Sequence, residues 1–467
     1  MVDRSVGGHS VLGSLYRPAV GIFASVVRAM NGPEKKTLIY APGETRMDQS
    51  RQRTLHRLGL FCGVAAALWL AGAEAPTKLV TVSVSPFVIS FMMVLGAFIS
   101  RWSLPSLIRG TSDTLTDVRH VPHLVVWGVM AGCLWAVGNT LTIFAVRDIG
   151  LSLAFPLWNS NSLIGIMWGI LLFKELHRAA WFQKVGVVGG ALVIFLGAVL
   201  LSSASISQAA QGSALRGMGA ALGAGLMFGS MYIPYRKAYL TGMNPLTFLT
   251  LFTFGEITTV TVLATVFLGG IRPLWHELVT NRHILFWPLL GGFMWVVGDL
   301  LQNYATKYVG ISRGIPLSNT NQLWGLLWAI LVFRELHGLS PHVYAEVIGG
   351  SILMAAGAVA IACSSTSQNE YSSWKDAAQR ETERYGINPE YVRTRMEGRD
   401  LNASGARRTW VDWLLVAGAV ILFTGFGIMA QVPPLEIQMG WLIALSMAML
   451  LVLLAGGLAL WRITKFV

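Results

Sequence analysis

The sequence predicts an all-α integral membrane protein: a ten-span bundle of two inverted five-helix repeats, extended by two additional C-terminal transmembrane helices. Three observations lead there. Of 467 residues only 12% are charged against 54% hydrophobic, with mean hydropathy +0.57. Apolar runs of membrane-spanning length recur along the chain, and one half of the sequence repeats the other.

A soluble globular chain carries about 25% charged residues. A chain with half that share has lipid as its outer solvent. The net charge of +12 is spread between apolar runs and forms no patch for nucleic acid, so it reads as a topology signal. Cys62, Cys133 and Cys363 lie in or beside apolar stretches without metal-ligand spacing, and no metal or cofactor is expected.

A span needs about 20 largely apolar residues. Runs of that kind fall near 58–78, 84–101, 123–146, 149–173, 182–202, 216–235, 246–268, 284–306, 309–333 and 342–363, then near 410–430 and 441–461. With the N-terminus in the cytoplasm, 23 Lys and Arg from residue 46 onward fall inside and six outside, and the bias survives removal of the long linker, at 15 to 6. Both termini are therefore expected to be cytoplasmic, as in a bacterial-type plasma (inner) membrane protein.

Residues 135–177 and 295–337 align without a gap at an offset of 160, with 20 of 43 positions identical. WAVGN matches WVVGD, FPLWNSN matches IPLSNTN, and FKELH matches FRELH; Ser85-Pro86 falls over Asn244-Pro245. Each copy holds five spans, so the second must enter the membrane in the opposite sense. Two such copies are related by an axis in the membrane plane, with a solute site expected between them near mid-depth. The resulting division is an amphipathic or disordered extension at 1–56, repeats at 57–205 and 215–363, a charged cytoplasmic linker at 364–409, and two further helices with a short tail at 410–467.

Polar side chains in lipid face the bundle interior or a wet cavity. The paired motifs on spans 4 and 9 supply Asn159, Asn161, Asn319, Asn321 and Gln322 beside Pro156 and Pro316, which loosen the helix. Their amides both donate and accept, as hydroxyl-rich ligands require. Spans 3 and 8 add Trp135 with Asn139, and Trp295 with Gln302 and Asn303; a tryptophan platform beside polar groups suits a sugar ring. Packing against neighbouring helices is the competing role for all of these residues.

Asp299 replaces Asn139 in the second copy and Arg313 replaces Leu153, and hairpin depth predicts that Asp299 and Arg313 meet. Asp299 and Glu74 are the proton-coupling candidates, Arg313 a solute-binding one; Glu74 also has Lys78 one helical turn away. Glu256 is a third embedded acid. Glu175 and Glu335 read as helix-end charges at the water boundary, and Arg101 as an inside charge at the end of the second span. No nucleophile, phosphate loop or other enzymatic constellation stands out.

At the motif level residues 57–363 resemble the drug/metabolite transporter superfamily of 5+5 inverted repeats. Within it, VGISRGIPLSNTNQLWGLLWAILVFREL resembles the glucose/ribose porter type, where VGIS-x-x-x-P runs into QL and closes with F-x-E, a group neighbouring the rhamnose–proton symporters. The resemblance implies a secondary carrier for a sugar of the glucose, ribose or rhamnose class, with proton symport open. A drug/metabolite-type exporter of amino acids or amines and a non-transporting scaffold or receptor stand beside that reading. The linker and the two extra helices lie outside the resemblance.

Overall fold

The computed structural model describes residues 44–80, 84–177, 179–203, 214–334, 340–364, 367–397, 408–432 and 437–466. The chain divides at Asp48 into a first unit, of which only residues 44–48 are described, and a second covering Gln49–Val467. Most of the expected 1–56 extension lies outside the described residues, but residues 44–56 are already helical.

The described chain is helical, and eight helices are long and apolar enough to cross a membrane by length and composition. The order is α1 (Glu44–Lys78), α2 (Pro86–Ile108), α3 (Ser112–His120), α4 (Leu124–Trp158), α5 (Asn161–Leu171), α6 (Trp181–Ser203), α7 (Ala214–Leu240), α8 (Pro245–Phe267), α9 (Ile271–Thr280), α10 (Phe286–Val309), α11 (Ile311–Ser318), α12 (Asn321–Leu327), a π-helical turn (Trp328–Val332), α13 (Pro341–Cys363), α14 (Ser367–Tyr385), α15 (Pro389–Met396), α16 (Trp410–Met429) and α17 (Met439–Thr464). The result is a multi-pass all-α membrane protein. The eight do not include α7 or α10, whose buried tyrosines and charged residues dilute their apolar character, or the interrupted span 9.

Local chemistry sets the boundaries. Pro86, Pro245 and Pro341 open α2, α8 and α13 at the position where a missing N–H costs nothing. Asn244 caps α8 by accepting from Leu246 N at 2.9 Å. Spans 4 and 9 break at Asn159–Ser160 and Asn319–Thr320, positions that match at the 160 offset. Each break lies three residues beyond its proline, so the helix stops where the motif loosens it.

Contrary to expectation, spans 3 and 4 share one continuous helical run, α4. Its packing shows that it nevertheless doubles back. Gly217 of α7 touches Asp148 and Ile149, Gly223 touches Leu141, Phe228 touches Gly138, while Gly225 touches Trp158 and Gly229 touches Ile164. Two legs therefore leave Asp148 and both run alongside α7. Asp148 fastens this turn, taking both Nε and Nη2 of Arg216 at 2.6 and 2.7 Å.

Glycines bring the helix axes together. Gly96 of α2 faces Leu289 O and Gly292 of α10 faces Met93 O; Gly132 of α4 faces Phe252 O and Gly255 of α8 faces Val129 O. A Cβ at any of the four would lie 1.8–2.0 Å from that oxygen, so only glycine permits the approach. The repeat alignment exchanges one crossing for the other, pairing Gly96 with Gly255 and Gly132 with Gly292. Likewise, α6 and α13 cross with Gly190 and Gly357 each facing the other's carbonyl.

The two C-terminal helices coat the bundle. Phe423 of α16 packs on Phe286 and Phe293 of α10, and the indole of Trp69 in α1 donates to Met449 O of α17 at 3.1 Å. Their outer faces, Ile421, Ile428 and Leu454 among them, are exposed, as lipid contact requires.

Candidate functional site

A polar cavity of about 60 Å³ lies between the halves, lined from α1, α4 and α5 on one side and α7, α10 and α12 on the other. Its walls hold nine of the residues singled out above: Glu74, Trp135, Asn139, Asn159, Asn161, Trp295, Gln302, Asn319 and Asn321. Tyr232, the repeat counterpart of Glu74, also lines it. The side chain of Lys78, proposed as a local partner for Glu74, lies outside the described residues.

Symmetry-matched residues meet here. The rings of Trp135 and Trp295 are 4.7 Å apart. Asn319, released by the break in span 9, donates through Nδ2 to Asn161 Oδ1 and Ser162 Oγ. Gln302 Nε2 donates to Ser318 Oγ and, at 3.5 Å, to Tyr232 OH, while Asn139 Nδ2 donates to Ser90 Oγ at 3.0 Å. Asn159 Nδ2, Asn321 Oδ1 and Trp135 Nε1 are buried without a hydrogen-bond partner among the described residues. Leaving such groups unmatched costs about 1–3 kcal/mol each, and water or a polar solute in the cavity can satisfy them. Gln322 is buried close by on α12, but outside the lining, and its amide too has no hydrogen-bond partner among the described residues.

Behind Trp295 lies a fully buried charge cluster. Arg101 of α2 reaches Asp299 at 3.0 Å and Glu256 of α8 at 3.2 Å. Its guanidinium lies 4.0 Å from the Phe252 ring centre and 5.8 Å from that of Trp295. Tyr235 OH and Asn303 Nδ2 donate to Asp299 Oδ1 at 3.1 and 3.0 Å, and Tyr239 OH donates in turn to Asn303. The expected Asp299–Arg313 meeting is thus replaced by Asp299–Arg101. Helix α2 runs on to Ile108, which carries Arg101 into the bundle instead of leaving it at the boundary.

Arg313 instead lines a small recess with Glu175, Arg236, Lys307 and Trp374. Glu175 is buried, against the expectation of a water-boundary charge. It pairs with Arg236 at 2.9 Å and accepts from Ile311 N and Ser312 N at 3.1 and 2.9 Å, capping α11. An anion at a helix N-terminus answers both the free N–H groups and the dipole. Glu335 lies outside the described residues.

Linker helices α14 and α15 cover this end of the bundle. Asp117, fully buried, accepts from Asn244 N, Thr247 Oγ1, Tyr391 OH and Arg395 Nη2 at 2.9–3.2 Å. Lys237 pairs with Glu381 at 3.2 Å, and the rings of His123 and Tyr385 stack at 3.8 Å. Burial pushes His123 below the usual histidine range; Glu381 pulls it upward, and Lys237 adds to the lowering. The strap is thereby bolted to loops of both halves.

Sequence reasoning missed Arg101, the tyrosine row Tyr232-Tyr235-Tyr239, and Asp117. The tyrosines carried a signal, since spacings of three and four place them on one helix face. Arg101 carried none, because an arginine at the end of an apolar run looks like a boundary.

The model of a family described as "Sugar transport protein" matches residues 252–382, from within α8 through α13 and most of α14. A Listeria innocua protein named for sugar uptake is 23% identical over 250 residues, 53% of this chain and 81% of that one. The glucose uptake protein of Staphylococcus xylosus is 24% identical over 217 residues, 45% of this chain and 69% of the relative. An Enterococcus faecalis protein named for sugar uptake reaches 32% identity over 81 residues, 17% of this chain and 28% of its own length. These matches support a sugar-transporter family and are consistent with a role outside enzymatic catalysis.

Proposed function

We propose that the protein carries a sugar of the glucose, ribose or rhamnose class across the membrane by alternating access, with a proton moving alongside it. The observation that carries this reading is the cavity between the halves, where two tilted tryptophans 4.7 Å apart stand beside unmatched amides. A sugar presents an apolar ring face and a hydroxyl rim, which such a wall complements. At about 60 Å³ the cavity is well below the roughly 300 Å³ of a small-molecule pocket, so entry requires the halves to part. The inverted 5+5 architecture, kinship with the drug/metabolite superfamily, a bacterial inner-membrane location and cytoplasmic termini belong to the same proposal.

The proton reading rests on charge arithmetic. One guanidinium faces two carboxylates, and the net negative charge left over is cancelled by one proton. Parting of α2, α8 and α10 would separate the arginine from an acid and change which state is favoured.

One observation favours a second reading. Glu74 lines the cavity, and a carboxylate there would equally hold the ammonium of an amine or amino acid. Proteoliposome uptake over a panel of sugars, amines and amino acids, with and without a pH gradient, separates the two. Saturable sugar flux that rises with an inward proton gradient is expected. Flux confined to amines would replace the sugar reading, and no flux of any solute would favour a scaffold.

A further inference from the structure

We infer that the crevice between α17 and helices α2 and α10 holds one acyl chain of an anionic phospholipid. The crevice measures about 490 Å³, inside the 300–1,000 Å³ range of ligand sites. Every lining residue is apolar, with Leu104 and Ile108 from α2, Val297 and Leu301 from α10, and Leu453 and Phe466 from the C-terminal segment. Water has nothing to bond there, and a hydroxylated solute would forfeit its hydrogen bonds. An aliphatic chain loses nothing.

Its length and depth match one leaflet. The α17 lining runs from Leu450 to Leu460, roughly 15 Å at 1.5 Å per residue, half of a ~30 Å hydrocarbon core. Leu104 and Ile108, in the last two turns of α2, and Phe466 mark the end nearest the membrane surface. Cations gather at that rim. Arg109 donates to Phe466 O at 3.5 Å, Arg408 to Leu107 O at 2.6 Å, and Lys465 is exposed beside Trp461. The nearby acid, Asp412, is engaged in capping α16 and accepts from Thr111 N. A phosphate at the rim and a chain in the crevice satisfy both chemistries at once.

The site adjoins the machinery. Val297, Leu300 and Leu301 line the crevice from the same stretch of α10 that carries Asp299, Gln302 and Asn303 inward. A bound chain would brace that helix from behind. The inference stands on the membrane character of the chain and is independent of the solute.

Native mass spectrometry of the full chain, delipidated and titrated with phosphatidylglycerol or phosphatidylcholine, tests it. One retained phosphatidylglycerol, bound at least tenfold tighter than phosphatidylcholine, is expected. Gly457→Trp fills the crevice from a position where a Cβ meets nothing within 4 Å, and should abolish retention in protein that stays monodisperse. Arg408→Glu with Lys465→Glu should erase the preference between the two lipids while keeping one bound. Equal binding of both lipids by the wild type, or undiminished retention in Gly457→Trp, overturns the assignment. A wild-type dimer that Gly457→Trp dissolves would instead give the crevice to a second copy.

Discussion

Arg101→Leu tests the buried charge cluster most directly. In the native protein the guanidinium is wholly buried and faces Glu256 and Asp299 at 3.2 and 3.0 Å. Leucine retains much of the packing against Phe252 but leaves two acids together without their cation. Removing one partner from a buried pair costs about 3–5 kcal/mol, and here two acids lose the same partner. Against a typical stability of 5–15 kcal/mol that is a large fraction. Survival of monodisperse protein through a heating series in mild detergent should therefore fall sharply. The triple variant Arg101→Leu, Glu256→Gln, Asp299→Asn removes all three charges and keeps the shapes of the two acids. It should regain most of the lost stability, because two neutral amides are cheaper to bury than two unbalanced charges. In proteoliposomes it should equilibrate solute but not concentrate it with a pH gradient. Native heat resistance in Arg101→Leu would show that the acids are not held by this arginine. Gradient-driven accumulation by the triple variant would remove the cluster from coupling.

Three further outcomes follow from the same geometry. Asn161→Leu and Asn319→Leu each break an inter-repeat bond worth about 0.6 kcal/mol in such bundles, so heat resistance should barely change while uptake falls at least about tenfold; equal loss of both would assign the asparagines to packing. Gly96→Leu and Gly255→Leu should both cripple folding, since a Cβ would sit 1.9 Å from a carbonyl oxygen on the facing helix, and normal yields of either by fluorescence size exclusion would refute the crossing. His123 has its folded pKa below the ordinary 6.5, so the contact it makes favours the neutral ring: the stabilisation is present above that value and is lost as pH falls through it and below. Amide exchange in 367–397 should rise on acidification in the wild type and respond less in His123→Phe, whereas identical profiles would exclude His123 as the sensor.

Much of the bundle was legible because lipid imposes a simple rule, namely long apolar runs with polar side chains only where they are matched. The self-alignment added a candidate site, and nine of its residues line one cavity. Pairing was less legible. Asp299 looked toward Arg313 because hairpin depth is visible in a sequence, while the approach of α2 to α10 depends on Gly96 and Gly292 meeting backbone across the bundle. That contact brings Arg101 beside Asp299 and has no local signature. Glu175 misled for a related reason. Its place after a span suggests water, yet its carboxylate is consumed by Arg236 and by the N-terminus of α11, an element distant in sequence.

The strap explains which end of the cavity is held closed. Asp117 belongs to the first half, and its partners Asn244 and Thr247 belong to the second; Tyr391 and Arg395 add the linker to the same carboxylate. Separating the halves at this end would strip a fully buried acid of its donors, each charge-assisted bond being worth about 1.5–3 kcal/mol. Lys237–Glu381 and the His123–Tyr385 stack would have to yield with it. On the transport reading proposed above, a cavity too small for a sugar with one end clamped in this way would correspond to a state between the two open ones. Opening toward the linker then needs a compensating gain, and the solute's own hydrogen bonds to Asn159, Asn321 and Trp135 are the ones this cavity has left unmade. If the proposed carrier reading holds, such a molecule would open on that side chiefly when loaded, which is the condition for coupling solute movement to a gradient without leak.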